Sequence, residues 1–147
     1  MKKLSFTIFG FLAIFALILF QGCNGDDEET AQERTLKILQ SKNWTVSSVV
    51  VPSNTATDET DWLSFAVSFS ASNMSTSGHA TGAQAVWPSG TYTVSEGGNT
   101  VTRGDGVVMT LNPISDTNFT AVFTVPVGTH TSGRIAALDG EYRFNMK

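Results

Sequence analysis

Few side chains in this chain could do chemistry, and their placement limits what that chemistry can be. Its one cysteine, Cys23, lies in "FQGCNGDDEET" at 20–30, between a long apolar run and a block of acids. A cysteine thiolate is a nucleophile that can accept a lipid through a thioether bond. With a single cysteine no disulfide can form within the chain, and Cys23 falls outside any patterned segment, which argues against a buried core thiol. The two histidines, His79 and His130, sit in Gly/Thr/Ser-rich stretches without a second ligand at metal spacing, so no metal site is expected. Asp58, Glu59 and Asp61 read as a solvated loop, with a weak cation contact at Asp61 as the alternative, and not as a separated acid/base pair. Neither a Gly-x-Ser-x-Gly elbow nor a phosphate-cradling glycine loop occurs. The expectation is a protein that is not an enzyme and needs no cofactor.

The remaining candidates are a tripeptide and a set of aromatic rings. Arg103-Gly104-Asp105 is the triplet that integrin-binding adhesins display on a loop tip, but it is also what a tight hairpin turn requires. The turn is the favoured reading. Trp62, expected on an outer face, and Trp87, just before Pro88, could offer a platform for sugar rings; edge packing is the alternative. Trp44, Trp87 and Tyr92 are the candidate ligand-binding residues, for a small apolar molecule or a glycan.

Residues 1–22 stand apart from the rest. Lys2 and Lys3 precede "LSFTIFGFLAIFALILF" at 4–20, a basic start and an apolar run with the shape of a bacterial export signal. A membrane span usually needs about twenty apolar residues, so the run is a little short for a permanent helix, although an uncleaved anchor stays open. Leu19-Phe20-Gln21-Gly22-Cys23 resembles the lipobox of bacterial lipoproteins, in which a small residue precedes the cysteine that becomes the lipidated first residue. The resemblance implies a signal peptide at 1–22 and acyl chains such as palmitate on Cys23. Each buried methylene then contributes about 0.8 kcal/mol to the anchor. The three Asn-x-Ser/Thr triplets at Asn43, Asn73 and Asn118 accordingly read as chance.

Loss of 1–22 removes Lys2 and Lys3 from the nine basic residues and none of the thirteen acids, leaving a formal charge of −6. No basic patch suggests nucleic acid. Asp26, Asp27, Glu28 and Glu29 follow Cys23 closely, so 23–29 reads as a solvated acidic tether. The same run resembles the acidic signal behind the lipidated cysteine of surface-displayed lipoproteins of some Gram-negative bacteria, which implies the outer membrane and its cell-surface side, with the periplasmic face as the alternative.

The elements that must position these residues follow from pattern. "TAQERTLKILQSK" at 30–42 predicts a short helix, with Thr30 and Glu33 as a capping box and Leu36 and Leu39 on one face, packed across an open end of the body. From 43 onward the period changes to alternation. "DWLSFAVSFS" sets Leu63, Phe65, Val67 and Phe69 on one face, "NFTAVFTVP" sets Phe119, Ala121, Phe123 and Val125, and "GEYRFNMK" sets Tyr142, Phe144 and Met146. Weaker strands are expected at 44–51, 73–77, 90–95, 100–103 and 106–112. Turn-forming stretches such as "EGGN" at 96–99 and "RGDG" at 103–106 separate them. About eight short antiparallel strands, each with one dry face, predict an all-β domain at 43–147, an up-and-down barrel or a strongly curled sheet.

The order of helix, "NWTVSSVVV", "FAVSFSASNMSTSG", "VWPSGTY", "VTRGDGVVMTL" and "LDGEYRF" resembles the small lipocalin-like lipoproteins of Gram-negative bacteria. That resemblance implies a barrel able to capture a small ligand. The residues pull the other way. An eight-stranded barrel is only just wide enough to be filled by its own side chains, and Phe65, Phe69, Tyr92, Phe119, Phe123, Tyr142 and Phe144 all fall on expected inward faces. Two functions remain open: a binding module for an apolar molecule or glycan, and a structural or interaction lipoprotein with a filled barrel.

Overall fold

In the computed structural model, which describes residues 28–53, 55–79, 83–127 and 138–147, the helical period becomes helix α1, Ala31–Leu39. The expected signal peptide at 1–22, the lipobox-like stretch with Cys23, and His130 lie outside the described residues. Thr30 caps the helix: its Oγ1 accepts the Glu33 N–H at 3.1 Å, and the Glu33 carboxylate accepts the Thr30 N–H at 2.9 Å. Two of the donors that a helix start leaves unpaired are thereby satisfied.

Eight strands follow: β1 Asn43–Val50, β2 Ala66–Phe69, β3 Asn73–Ser77, β4 Gly90–Val94, β5 Thr100–Arg103, β6 Val108–Ile114, β7 Phe119–Val125 and β8 Gly140–Met146. Each pairs antiparallel with the next, and β8 returns to β1 through Val49↔Phe144 and Val50↔Arg143, closing an up-and-down barrel. Closure gives every strand a neighbour on both sides, which is how such short strands form a wall. One face of each strand is dry. Val101, Met109, Leu111, Ala121, Phe123, Tyr142 and Phe144 are buried, while Thr93, Thr102, Thr110 and Thr124 face solvent. In β1 the register shifts between Val46 and Ser48, so both Ser47 and Ser48 face outward and Val49 regains the interior.

The barrel has two unlike ends. At the near end α1 lies against the β4–β5 turn: Gln32 Nε2 donates to Val94 O at 2.6 Å and Thr35 Oγ1 donates to Gly98 O at 2.8 Å. Gly98 has φ +69°, and a Cβ there would stand 2.4 Å from Ala31 O, so only glycine permits this approach. Leu39 is fully buried and Leu36 packs against the core at its margin. The far end receives the long β1–β2 and β3–β4 connections, each with a short 3-10 turn, Glu59–Trp62 and Ala83–Ala85.

Two expectations from alternation fail in the β1–β2 connection. Asp58 and Asp61 form a capping box that starts the 3-10 turn, so the period is broken before β2 begins at Ala66. Leu63, expected inward, is 75% exposed, and Trp62, expected outside, is fully buried.

Candidate functional site

The barrel interior is packed with rings. Phe144 stands at its centre, with centroids 4.9 Å from Trp62, 5.1 Å from Trp87 and 5.4 Å from Phe65, and lies parallel to Phe123 at 5.8 Å. Edge-on and offset contacts of this kind are the favoured geometries of aromatic pairs. At the near end Trp44 meets Phe119 edge-on at 4.9 Å, and Phe69 meets Tyr92 at 5.1 Å. All ten aromatic residues among the described residues are buried. The seven expected on inward faces are all in this core.

The three candidate ligand-binding residues do not share a site. Trp44 is buried at the near end, its Nε1–H donating to Leu39 O at 2.9 Å and the Lys42 ammonium 4.3 Å from its ring centre. Tyr92 is at the same end, its hydroxyl donating to Ser70 O at 2.6 Å and accepting from Gln40 Nε2 at 3.1 Å. Burial pushes the pKa of that hydroxyl up, against the Gln40 hydrogen bond. Trp87 is at the far end, between Phe65 and Phe123, with its Nε1 3.4 Å from Met74 Sδ. Each ring is a wall of the core with its polar atom in use. None of the three, nor Trp62, offers a free face for a sugar.

The Arg103-Gly104-Asp105 triplet is a turn with a buried end. Arg103 closes β5 on the inward face and is 3% exposed. Its Nη1 donates to Val86 O at 2.7 Å, its Nε donates to Asp105 Oδ1 at 3.1 Å, and its guanidinium lies 5.2 Å from the Phe123 ring centre. Asp105 also accepts the Val107 N–H at 3.2 Å. Burial pushes the Asp105 carboxyl up, but the hydrogen bond and charge of Arg103 outweigh it and hold the group below the usual carboxylate range. With its cation sealed in the barrel mouth, the triplet is not displayed for recognition. Period-2 reading of β5 places Arg103 beside Val101 on the dry face, which is the signal for this buried ion pair that the tripeptide reading obscures.

Two surface clefts are formed by described residues. One of about 270 Å³ follows the seam where β3 and β4 share only the pairs Asn73↔Thr91 and Met74↔Gly90 before they separate. Ser89 Oγ fills in for the missing strand partner by accepting the Thr76 N–H at 2.8 Å. The charged groups at this cleft, Arg103 and Asp105, are spent on each other. The other cleft, about 470 Å³, lies between α1 and the β6–β7 turn, where Glu29 pairs with Lys37 at 3.5 Å and Arg34 at 3.7 Å. Neither cleft contains Trp44, Trp87 or Tyr92. Half-buried His79 lies 6.2 Å from the Phe65 ring centre, and no group of three metal-ligating side chains occurs among the described residues. Asp58 and Asp61 cap a turn, the Thr60 side chain and backbone holding the Asp58 carboxyl below its usual range.

No protein-family model matches the chain, and no curated protein matches it in sequence. Among the described residues no helix is long and apolar enough to cross a membrane.

Proposed function

We propose that this protein is a lipid-anchored lipoprotein of the Gram-negative outer membrane, tethered through Cys23 and acting through the outer surface of a filled barrel. The lipobox-like arrangement at 19–23 and the acids at 26–29 support the anchor and the surface address. The observation that carries the role is the packed interior: the rings that would line a ligand chamber instead contact one another around Phe144. Recognition then falls to the wall, the surface that the described strands present. Among the strand residues only Arg103, Glu141 and Arg143 are charged, and Arg103 is buried. The barrel thus presents a nearly neutral Ser/Thr/Asn surface on β1–β7, suited to a partner that is not selected by long-range charge.

Native mass spectrometry of detergent-extracted protein tests both parts. The expected mass is that of a chain starting at an acylated Cys23, free of small molecules, with a protein partner retained at low detergent. Cys23→Ala should abolish processing. A Cys23→Ala protein with the wild-type membrane-bound mass would remove the anchor reading, and a reproducible small molecule in the wild type would remove the filled-barrel reading.

A further inference from the structure

The three buried tryptophans differ in one respect. Trp44 Nε1–H is tied to Leu39 O and Trp87 Nε1–H to Met74 Sδ, whereas Trp62 Nε1–H has no partner. Among the described residues it is the only buried side-chain nitrogen or oxygen left unpaired. A buried donor without an acceptor penalises the conformation that buries it, since in water it would be hydrogen-bonded.

The backbone around Trp62 is built as a separate unit. The Asp61 N–H donates to Asp58 O at 3.2 Å, the Leu63 N–H to Thr60 O at 3.4 Å and the Phe65 N–H to Trp62 O at 2.9 Å. The capping box adds the Asp58 N–H to Asp61 Oδ2 at 3.0 Å. Apart from the Phe65 N–H···Trp62 O bond, which ties the turn to the anchored Phe65 and is the one that opening breaks, these bonds close within 58–63 and move with the turn. Its attachments are at its ends. On one side Thr55 and Thr57 meet the Tyr142 hydroxyl at 2.9 and 3.4 Å. On the other Phe65 O accepts the Val46 N–H at 3.0 Å, and Ser64 O sits where a Cβ on Gly78 would be. Next to Trp62 in the same turn is the strongly exposed Leu63.

We propose that residues 58–63 form a displaceable plug at the far mouth of the barrel. In the closed state Trp62 packs on Phe65, Tyr142 and Phe144. In the open state the turn rotates by about one residue's step, roughly 120° in a 3-10 geometry. Leu63 then replaces Trp62 at the mouth, and the indole N–H reaches water. The Tyr142 hydroxyl is the latch, and Trp44 and Trp87 are fixed by their hydrogen bonds. The proposal is independent of the anchor and of the partner surface proposed above.

The test is ¹⁹F NMR of the full chain in detergent, labelled with 5-fluorotryptophan, with resonances assigned by single Trp→Phe variants. Trp62 should give a line broadened by microsecond-to-millisecond exchange beside two sharp lines, and Tyr142→Phe should raise its open population at least threefold. Acrylamide quenching of the unlabelled wild type reads the same motion: emission should divide into a quenchable and a protected fraction, and Trp62→Phe should remove the quenchable one. Three equally sharp lines with uniformly protected emission would overturn the proposal, even if Tyr142→Phe failed to fold.

Discussion

Arg103 and Asp105 are joined across the β5–β6 turn, the guanidinium sealed in the barrel mouth and the carboxylate 38% exposed. Removing the partner charge leaves a buried cation in need of another. Asp105→Asn should destabilise the fold at pH 7 by about 1.5–3 kcal/mol, the range for hydrogen bonds to charged groups, and toward its lower end because solvent reaches the carboxylate. Urea unfolding of the two proteins, compared at equal m-value, reads the difference.

The same pair fixes a pH dependence. The Asp105 carboxyl is held below its ordinary value in the folded state. Its contribution is therefore fully present above the unfolded value, about 3.9 for Asp, and is lost as pH falls through the lower folded value. The stability gap between wild type and Asp105→Asn should be constant from pH 7 to about 5 and should close as both are titrated into strong acid. A gap that stayed open at the acid end would mean that packing, not charge, sets the cost.

Much of this architecture was legible in the pattern. Period-2 alternation placed Phe119, Phe123, Tyr142 and Phe144 inward because one face of a barrel strand must be dry, and the buried faces agree. Thr30 and Glu33 marked the helix start because local capping chemistry is readable at i, i+3. The misreadings at Leu63 and Trp62 share one cause: an Asp-x-x-Asp capping box overrides alternation, and its 3-10 turn directs neighbours by a period of three. Residue type alone marks Trp44, Trp87 and Tyr92 as candidate ligand residues. Which barrel end each occupies depends on strand direction and closure, information that no single segment carries.

The docking of α1 rests on a close approach that local pattern does not reveal. Thr35→Val should cost about 1–2 kcal/mol by leaving Gly98 O without its buried donor. Gly98→Ala should cost more, since it adds a left-handed strain to a Cβ that meets Ala31 O. Hydrogen exchange should show the amides of 31–39 losing protection in both variants while β6–β8 keep theirs. Uniform loss along the chain would mean that α1 and the barrel unfold as one unit.

The strongest single perturbation is expected at Phe144, whose ring touches Trp62, Phe65, Trp87, Phe123 and Tyr142. Phe144→Ala removes the common neighbour of five rings that cannot all close on the gap, because they are carried by two connections, β1–β2 and β3–β4, and by the paired strands β7 and β8. Large aromatic truncations in cores cost about 3–5 kcal/mol, with the upper end reached where the site cannot collapse. Thr102→Ala, on the outer face of β5, should stay within about 0.5 kcal/mol. If the barrel is filled by its own rings, Phe144→Ala should also create an apolar cavity able to take up benzene or indole, detected by ligand-dependent recovery of its melting temperature. Equal recovery of the wild type by the same molecules would show that the interior already had room.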